Sequence, residues 1–349
     1  MTLLNYIKFP IIVLISFILV GCGDERLPDS KNNEKIVRIG TADNNGRLSG
    51  LLGLAKQLGY LEEELQKVDY QYSISGFAGA GPAVNEGLAT NAIDIAVYAD
   101  FPGIIATSRG VPLKLIMSED SSINANIAVR KDSNIHSLAD LKGKKVALPR
   151  GTYMQRYFTL FIEQQGYKLS DFNIIQMTND AESALLNGAI DAMVWTEQST
   201  ARLENKSPTI TTLYSTRTEP ELSGISVIVG REAFINQNEK VIKAMNIALL
   251  KAMNIALLKA MNIALLKASK YAQNNPDQAE ILLAKESDTN IEIIKKIHDF
   301  HSIDSFSKRY SVNITDNDIR KLKQTQQFLI DNKIITKPID IKNWVYTKK

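Results

Sequence analysis

Apolar positions fall into short β-branched runs separated by stretches whose apolar residues recur three and four apart. The two rhythms alternate. Ile36 to Gly40 reads as a strand and residues 47–58 as a helix. Tyr70 to Ser75 reads as a second strand, followed by the turn 76–81, GFAGAG. Helix 82–90, strand 93–98, helix 102–108 and strand 111–117 come next. The order then restarts with strand 145–148, helix 153–165, strand 172–177, helix 181–187 and strand 190–195. Strands separated by helical stretches imply βαβ units, hence an α/β fold with mostly parallel sheets flanked by helices.

A short echo makes the restart concrete. Residues 92–100 read AIDIAVYAD and residues 189–197 read AIDAMVWTE. The shared pattern predicts two similar lobes, each ending a central strand with an acid, Asp100 or Glu197, at the mouth of its sheet. In open α/β sheets ligands bind beyond the carboxyl ends of strands. Helix N-termini point there and offer free N–H groups. Gly151, Thr152 and Tyr153 open one such helix, with Thr152 and Gln155 spaced as a capping box. Asp100 and Phe101 open another, and Gly79 and Gly81 would let a ligand approach the backbone of a third. Two lobes with these ends face to face describe a cleft for a small polar ligand.

The first residues follow neither rhythm. Phe9 to Val20 is an apolar run of twelve after Lys8. That is short for a membrane span and suited to a signal-peptide core. It ends in Leu19-Val20-Gly21-Cys22, with the only cysteine in the chain. That ending resembles the bacterial lipobox, and the resemblance implies a signal peptide over 1–21 and lipidation at Cys22, with a polar tether over 22–35; an uncleaved anchor helix is the alternative. Both place the body outside the cytoplasm and tie it to a membrane.

Composition narrows the chemistry. In 349 residues the net charge is +3 and 44% of residues are hydrophobic. No basic footprint argues for nucleic acid. The lone cysteine excludes an internal disulfide. There is no His-Glu-x-x-His, nucleophile elbow or P-loop, so no catalytic residue, metal or cofactor is expected. His298 and His301 read as surface residues, since two ligands make a poor metal site. The expected cleft holds acids (Asp43, Asp100, Glu197) and bases (Arg47, Arg150). Helix N-termini and arginine suit an anion, and a nearby acid suits an ammonium group. Together they would fit a zwitterion.

Residues 243–266 are KAMNIALL three times over, and Lys267-Ala268 begins a fourth copy. Two extra copies would lengthen a helix by about 24 Å and rotate its downstream part by about 160°. The array reads as a recent tandem expansion outside the ligand site.

The body resembles the type II periplasmic solute-binding proteins of ABC importers, in particular those for alkanesulfonates, taurine or nitrate, with a further likeness to thiamine-precursor binders. The resemblance rests on residues 92–116 (AIDIAVYADFPGIIATSRGVPLKLI), 137–152 (SLADLKGKKVALPRGT), 187–195 (NGAIDAMVW) and 327–341 (QFLIDNKIITKPIDI). It implies a two-lobed fold with lobe 1 over 36–123 plus 225–349, lobe 2 over 124–224, and hinge crossings near Asn124 and Ser223. It also implies a monomer that captures a small organic anion or zwitterion, closes, and delivers it to a separate permease and its ATPase. A binder of a thiamine-precursor pyrimidine, or a ligand-presenting sensor or enzyme on the same scaffold, is the alternative. Matched positions carry ligand contacts to Asp100, Phe101, Gly151, Thr152, Tyr153 and Trp195. Position alone adds Asp43, Asn44 and Asn45, while the turn, strand-end and charge readings above add Arg47, Gly79, Gly81 and Glu197.

Overall fold

The computed structural model describes residues 35–66, 70–236, 267–298, 309 and 314–346. The signal segment, Cys22, the tether up to residue 34, the array 243–266 and His301 lie outside them.

Among the described residues, ten strands form two five-stranded sheets. Sheet 1 holds β1 (Lys35–Thr41), β2 (Tyr70–Gly76), β3 (Ile95–Ala99), β4 (Leu113–Ile123) and β10 (Gly224–Arg231), in the order β2-β1-β3-β10-β4. Sheet 2 holds β5 (Ala125–Arg130), β6 (Lys145–Leu148), β7 (Asn173–Gln176), β8 (Ala192–Thr196) and β9 (Ile210–Ser215), in the order β7-β6-β8-β5-β9. The α/β class read from the alternation is the one observed. The sheets are mixed, however. In each, three strands pair in parallel, and a crossing strand lies antiparallel between the centre and the edge. The chain leaves β4 of sheet 1 to become β5 of sheet 2, and leaves β9 of sheet 2 to become β10 of sheet 1. Each sheet therefore receives its antiparallel strand from the other. The two crossings pass through Asn124 and through residues 216–223.

The crossing strands escaped the sequence reading because both of their faces are packed. β10 is buried at seven of its eight positions and β5 at five of six, so neither alternates polar with apolar.

The echoed motif occupies equivalent places. β3 and β8 are the central strands, and the Asp of each Ala-Ile-Asp sits just before its strand. The Asp94 carboxylate accepts from the Arg38 N–H (3.1 Å), and the Asp94 N–H donates back to the Arg38 carbonyl. In sheet 2 the Asp191 carboxylate accepts from the Lys145 N–H (2.8 Å), with the same return bond. In both sheets the acid thus pairs the N–H one residue before the parallel pairing with the central strand begins.

Helices α1 (Gly50–Gln57), α2 (Tyr60–Gln66), α3 (Ala80–Ala89) and α4 (Asp100–Ser108) belong to the first half of the chain. Helices α5 (Tyr153–Gln164), α6 (Ala181–Leu186) and α7 (Glu197–Lys206) accompany sheet 2. Then come helical residues 267–274, α8 (Pro276–Glu286), α9 (Ile291–His298), α10 (Asp316–Asp331) and α11 (Ile341–Trp344). A core shared by both sheets gathers α4, α5, α10 and the crossing strands; Phe101 packs there against Phe328, ring centroids 6.0 Å apart. A second core lies between sheet 1 and α1, α2, α8 and α9. Lys267 and Ala268, which open the fourth repeat copy, dock on this core: Lys267 pairs with buried Glu64 and lies 5.5 Å from the Tyr60 ring centre, while Ala268 is buried.

Candidate functional site

A cavity of about 420 Å³ opens where the strand ends of both sheets meet. Sheet 1 contributes the loop after β1 and the starts of α1, α3 and α4; sheet 2 contributes the starts of α5 and α7. The chemistry of those helix starts differs. α1 is already occupied: Glu119, buried, accepts from the Leu52 N–H at 3.2 Å. α4 carries Asp100 and α7 carries Glu197 in the first turn. Thr196 also caps α7, accepting from the Ser199 N–H. α3 and α5 have no side-chain cap and no acid in the first turn. Both starts line the cavity, α3 through Ala80 and Gly81 and α5 through Thr152, Tyr153 and Met154; next to it, an added Cβ on Gly151 would lie 3.1 Å from Pro82. Two positive helix ends, one from each sheet, therefore converge without a resident anion.

The sequence spacing of Thr152 and Gln155 gives a different outcome from a capping box. Thr152 Oγ1 donates to the Pro149 carbonyl (2.6 Å), and Gln155 accepts from the Gly151 N–H (2.8 Å). Gly151, at φ 76°, turns the chain so sharply that Thr152 faces back along the loop. The turn leaves the start of α5 without a side-chain cap.

Of the residues singled out in the sequence, Asp43, Asn44, Asn45, Arg47, Gly81, Thr152, Tyr153, Trp195 and Glu197 line the cavity. The others do not. Asp100 is buried behind it, and Phe101 is fully buried in the shared core. Both sit on the inner face of α4, because Pro102 and Ala99 take the cavity side. Gly79 is exposed just before α3, while its neighbours Ala78 and Ala80 line the wall. Gly151 serves the α5 turn. Arg150 is exposed and outside the lining. Gly81 admits a helix rather than a ligand: its Cβ would fall 2.6 Å from Pro102 Cγ. Asp43 shapes its own loop, accepting from the N–H groups of Asn45 (2.8 Å) and Arg47 (3.0 Å).

The cavity acids are engaged. Glu197 takes a two-pronged contact from Arg217 (2.7 and 2.9 Å) and a bond from Asn124 (3.0 Å). Asp120 is held by Arg309 at 2.9 Å, and Glu182 by Arg202 at 2.8 Å. Arg47 is the loosest of the cavity cations, 3.7 Å from an exposed Asp288 carboxylate. Trp195, Tyr153, Tyr98 and Met154 supply apolar wall. The Tyr98 hydroxyl donates to Asn85 (3.1 Å) and that of Tyr153 to the Asn124 carbonyl (3.0 Å); burial pushes both phenols well up.

Tyr98 was legible but missed: it is the counterpart of Trp195 in the echoed motif. His298 is a correction. It is buried in the cavity wall, and burial, then Arg309 and Arg217, hold its imidazole well below the ordinary value. Only long-range folding brings the two arginines there.

Two halves exchanging one strand each, with a cleft between sheet ends, define the type II periplasmic-binding-protein fold. The chain belongs to the NMT1/THI5-like family, whose profile matches residues 50–258, more than half its length. A protein of Bacillus subtilis (strain 168) that carries the name of an aliphatic sulfonates-binding protein is 31% identical over 188 residues, 53% of this chain and 55% of that protein. One of Escherichia coli (strain K12) with the same name is 29% identical, over 55% of this chain and 57% of that protein. The chain thus aligns over about half the length of these relatives. The alkanesulfonate-binding protein SsuA of Xanthomonas axonopodis pv. citri, solved bound to MOPS, superposes with a TM-score of 0.66 at 18% identity, over 89% of this chain and 98% of that one.

Proposed function

We propose that this chain is the extracytoplasmic, lipid-anchored binding component of an ABC importer. Its ligand is an organic anion with an apolar body, best represented by an alkane- or arylsulfonate. The observation that carries this reading is the meeting of the two uncapped, acid-free starts of α3 and α5 in one cavity. A sulfonate keeps its charge at all relevant pH and presents oxygens to several N–H donors at once. Arg47 adds a nearby cation.

The engaged acids argue against the zwitterion considered from sequence. Glu197, Asp120 and Glu182 each hold an arginine, so an ammonium group would have to displace one. The volume argues in the same direction. About 420 Å³ walled by Trp195, Tyr153, Tyr98 and Met154 leaves nitrate or taurine loosely held, whereas a longer chain fills the apolar wall. In this reading lobe 1 (36–123 plus 225–349) and lobe 2 (124–224) close about hinges at Asn124 and Ser223, with Cys22 carrying the lipid.

The test is thermal unfolding of the full chain in mild detergent against hexanesulfonate, benzenesulfonate, taurine, nitrate and a thiamine-precursor pyrimidine. A ligand at 100 times its dissociation constant stabilises by about 2.7 kcal/mol, a shift of several degrees. Shifts with the two apolar sulfonates above that with taurine are expected. A response to the pyrimidine alone would replace the sulfonate reading.

A further inference from the structure

We infer that Arg217 is an affinity-setting latch: it ties the sheet 2 wall of the cleft to the end of α9 on the sheet 1 side and slows ligand escape. The inference rests on the binding reading above. Arg217 lies just after β9 in sheet 2. Its Nε and Nη2 hold the two Glu197 oxygens at the start of α7, and Nη2 also donates to the Ile297 carbonyl at 3.2 Å. Ile297 lies in the last turn of α9, a helix whose Ile294 belongs to the sheet 1 core. A guanidinium gives a backbone carbonyl a charge-assisted hydrogen bond.

The same carbonyl accepts from Arg309, which also holds Asp120 of β4. Two arginines, each carrying a cavity acid from a different sheet, thus converge on one oxygen. Glu197 and Arg217 both travel with sheet 2 when the cleft opens, so their pairing survives. α9 also packs against α7, and the Arg217–Ile297 bond adds a tie between the two sides that opening breaks. Across the cleft, Asn44 Nδ2 donates to Asn179 Oδ1 at 2.5 Å, linking the loops after β1 and β7. That bond joins neutral, exposed amides that water replaces readily; the Arg217 bond is charge-assisted. Arg217 is therefore a positioning residue whose bond to Ile297 forms whenever the cleft is closed, with or without ligand, and Glu197 is its anchor rather than a ligand group.

The experiment is stopped-flow fluorescence with hexanesulfonate on the full chain in detergent, using Trp195 in the cavity wall as reporter. Arg217→Gln is expected to raise the dissociation rate about tenfold and leave the association rate within about twofold. Arg217→Lys, able to reach one partner but not both, falls between. Asn179→Ala changes the dissociation rate less than about threefold. An unchanged dissociation rate in Arg217→Gln overturns the latch. So does a loss confined to association, or one matched by a collapse of ligand-free melting temperature. A ligand-free arm separates this from the binding reading: hydrogen exchange in Arg217→Gln should rise over 291–298 and 197–206 alone. If wild type ignores hexanesulfonate, the sulfonate reading fails and this arm still decides the latch; unchanged exchange there overturns it.

Discussion

Asp100 and Glu197 occupy the same position in two copies of one motif, each at the start of a helix that follows a central strand. Their surroundings have nothing in common. Glu197 faces the cleft and is fully engaged by Arg217 and Asn124. Asp100 faces inward and is 1% exposed, and among the described residues neither oxygen has a partner in hydrogen-bonding geometry; Thr325 is a looser polar neighbour. Burial pushes its carboxyl above the ordinary value, against the pull of Thr325, Arg156 and Lys321. Both cations are themselves pushed down by burial. Lys321 donates to the Ser121 carbonyl (2.9 Å) and to Ser223 Oγ (2.7 Å), and Arg156 to the Leu222 carbonyl (3.3 Å). The acid in sheet 1 therefore became part of a buried charge cluster beside both crossings, while its counterpart became part of the rim. A repeated motif fixes where a side chain starts, and the neighbours decide what it does.

The contrast breaks most sharply at Lys321. Lys321→Met strips Asp100 of one cation, and the Ser121 carbonyl and Ser223 hydroxyl beside the crossings of their donor. A loss of about 3–5 kcal/mol is expected, measured as a lower urea midpoint at unchanged slope. A loss below about 1 kcal/mol would mean the cluster is solvated.

Next come the paired Asp residues of the same motif. Asp94 bonds to the Arg38 backbone and to the Arg38 and Arg231 guanidinium groups, whereas Asp191 takes the Lys145 N–H. Asp94→Asn should cost about 2–3 kcal/mol and Asp191→Asn about 1 kcal/mol. The same residue sets a pH dependence. Burial pushes the Asp94 carboxyl up, but the bonds from Arg38 and Arg231 bring it below the usual range overall. Its stabilisation is present above the unfolded value of about 3.9 and is lost as pH falls through the depressed folded value. Asp94→Asn should flatten the acid limb of stability against pH; an unchanged limb would assign acid unfolding elsewhere.

Glu197→Gln gives a smaller effect, about 1 kcal/mol, because the freed Arg217 side chain is more than a third exposed and can turn to water. Chemical denaturation alongside Lys321→Met tests the ranking directly. The smallest effect belongs to the repeat. Deleting 251–266 places Leu250 directly before Lys267, so the Lys267–Glu64 contact keeps its local sequence. Melting temperature should stay level or rise; a clear fall would give the array a structural role.

Much of this was open to reading in one dimension. The alternation fixed the class, and the boundaries of β6 match the expected 145–148. The echo located both central strands, and Tyr98, the counterpart of Trp195 in it, was legible there though missed. The crossing strands were hidden because full burial erases the alternation that marks a strand. The Thr152 spacing misled because a glycine turn redirected the side chain. His298 misled because a helical histidine three from another carries no trace of the two arginines that come to face it.

What the sequence determined by itself was the local order of elements, the duplicated motif, the acid-free starts of α3 and α5, and the family. Those are properties of contiguous residues. The fate of each charge belonged to the tertiary structure. Asp100 meets Lys321, more than two hundred residues away, inside a low-dielectric interior, while Glu197 meets Arg217 and, through it, Ile297 at the cleft rim. An ionised group is governed by its nearest charges and its access to water, and both are set only when distant segments pack.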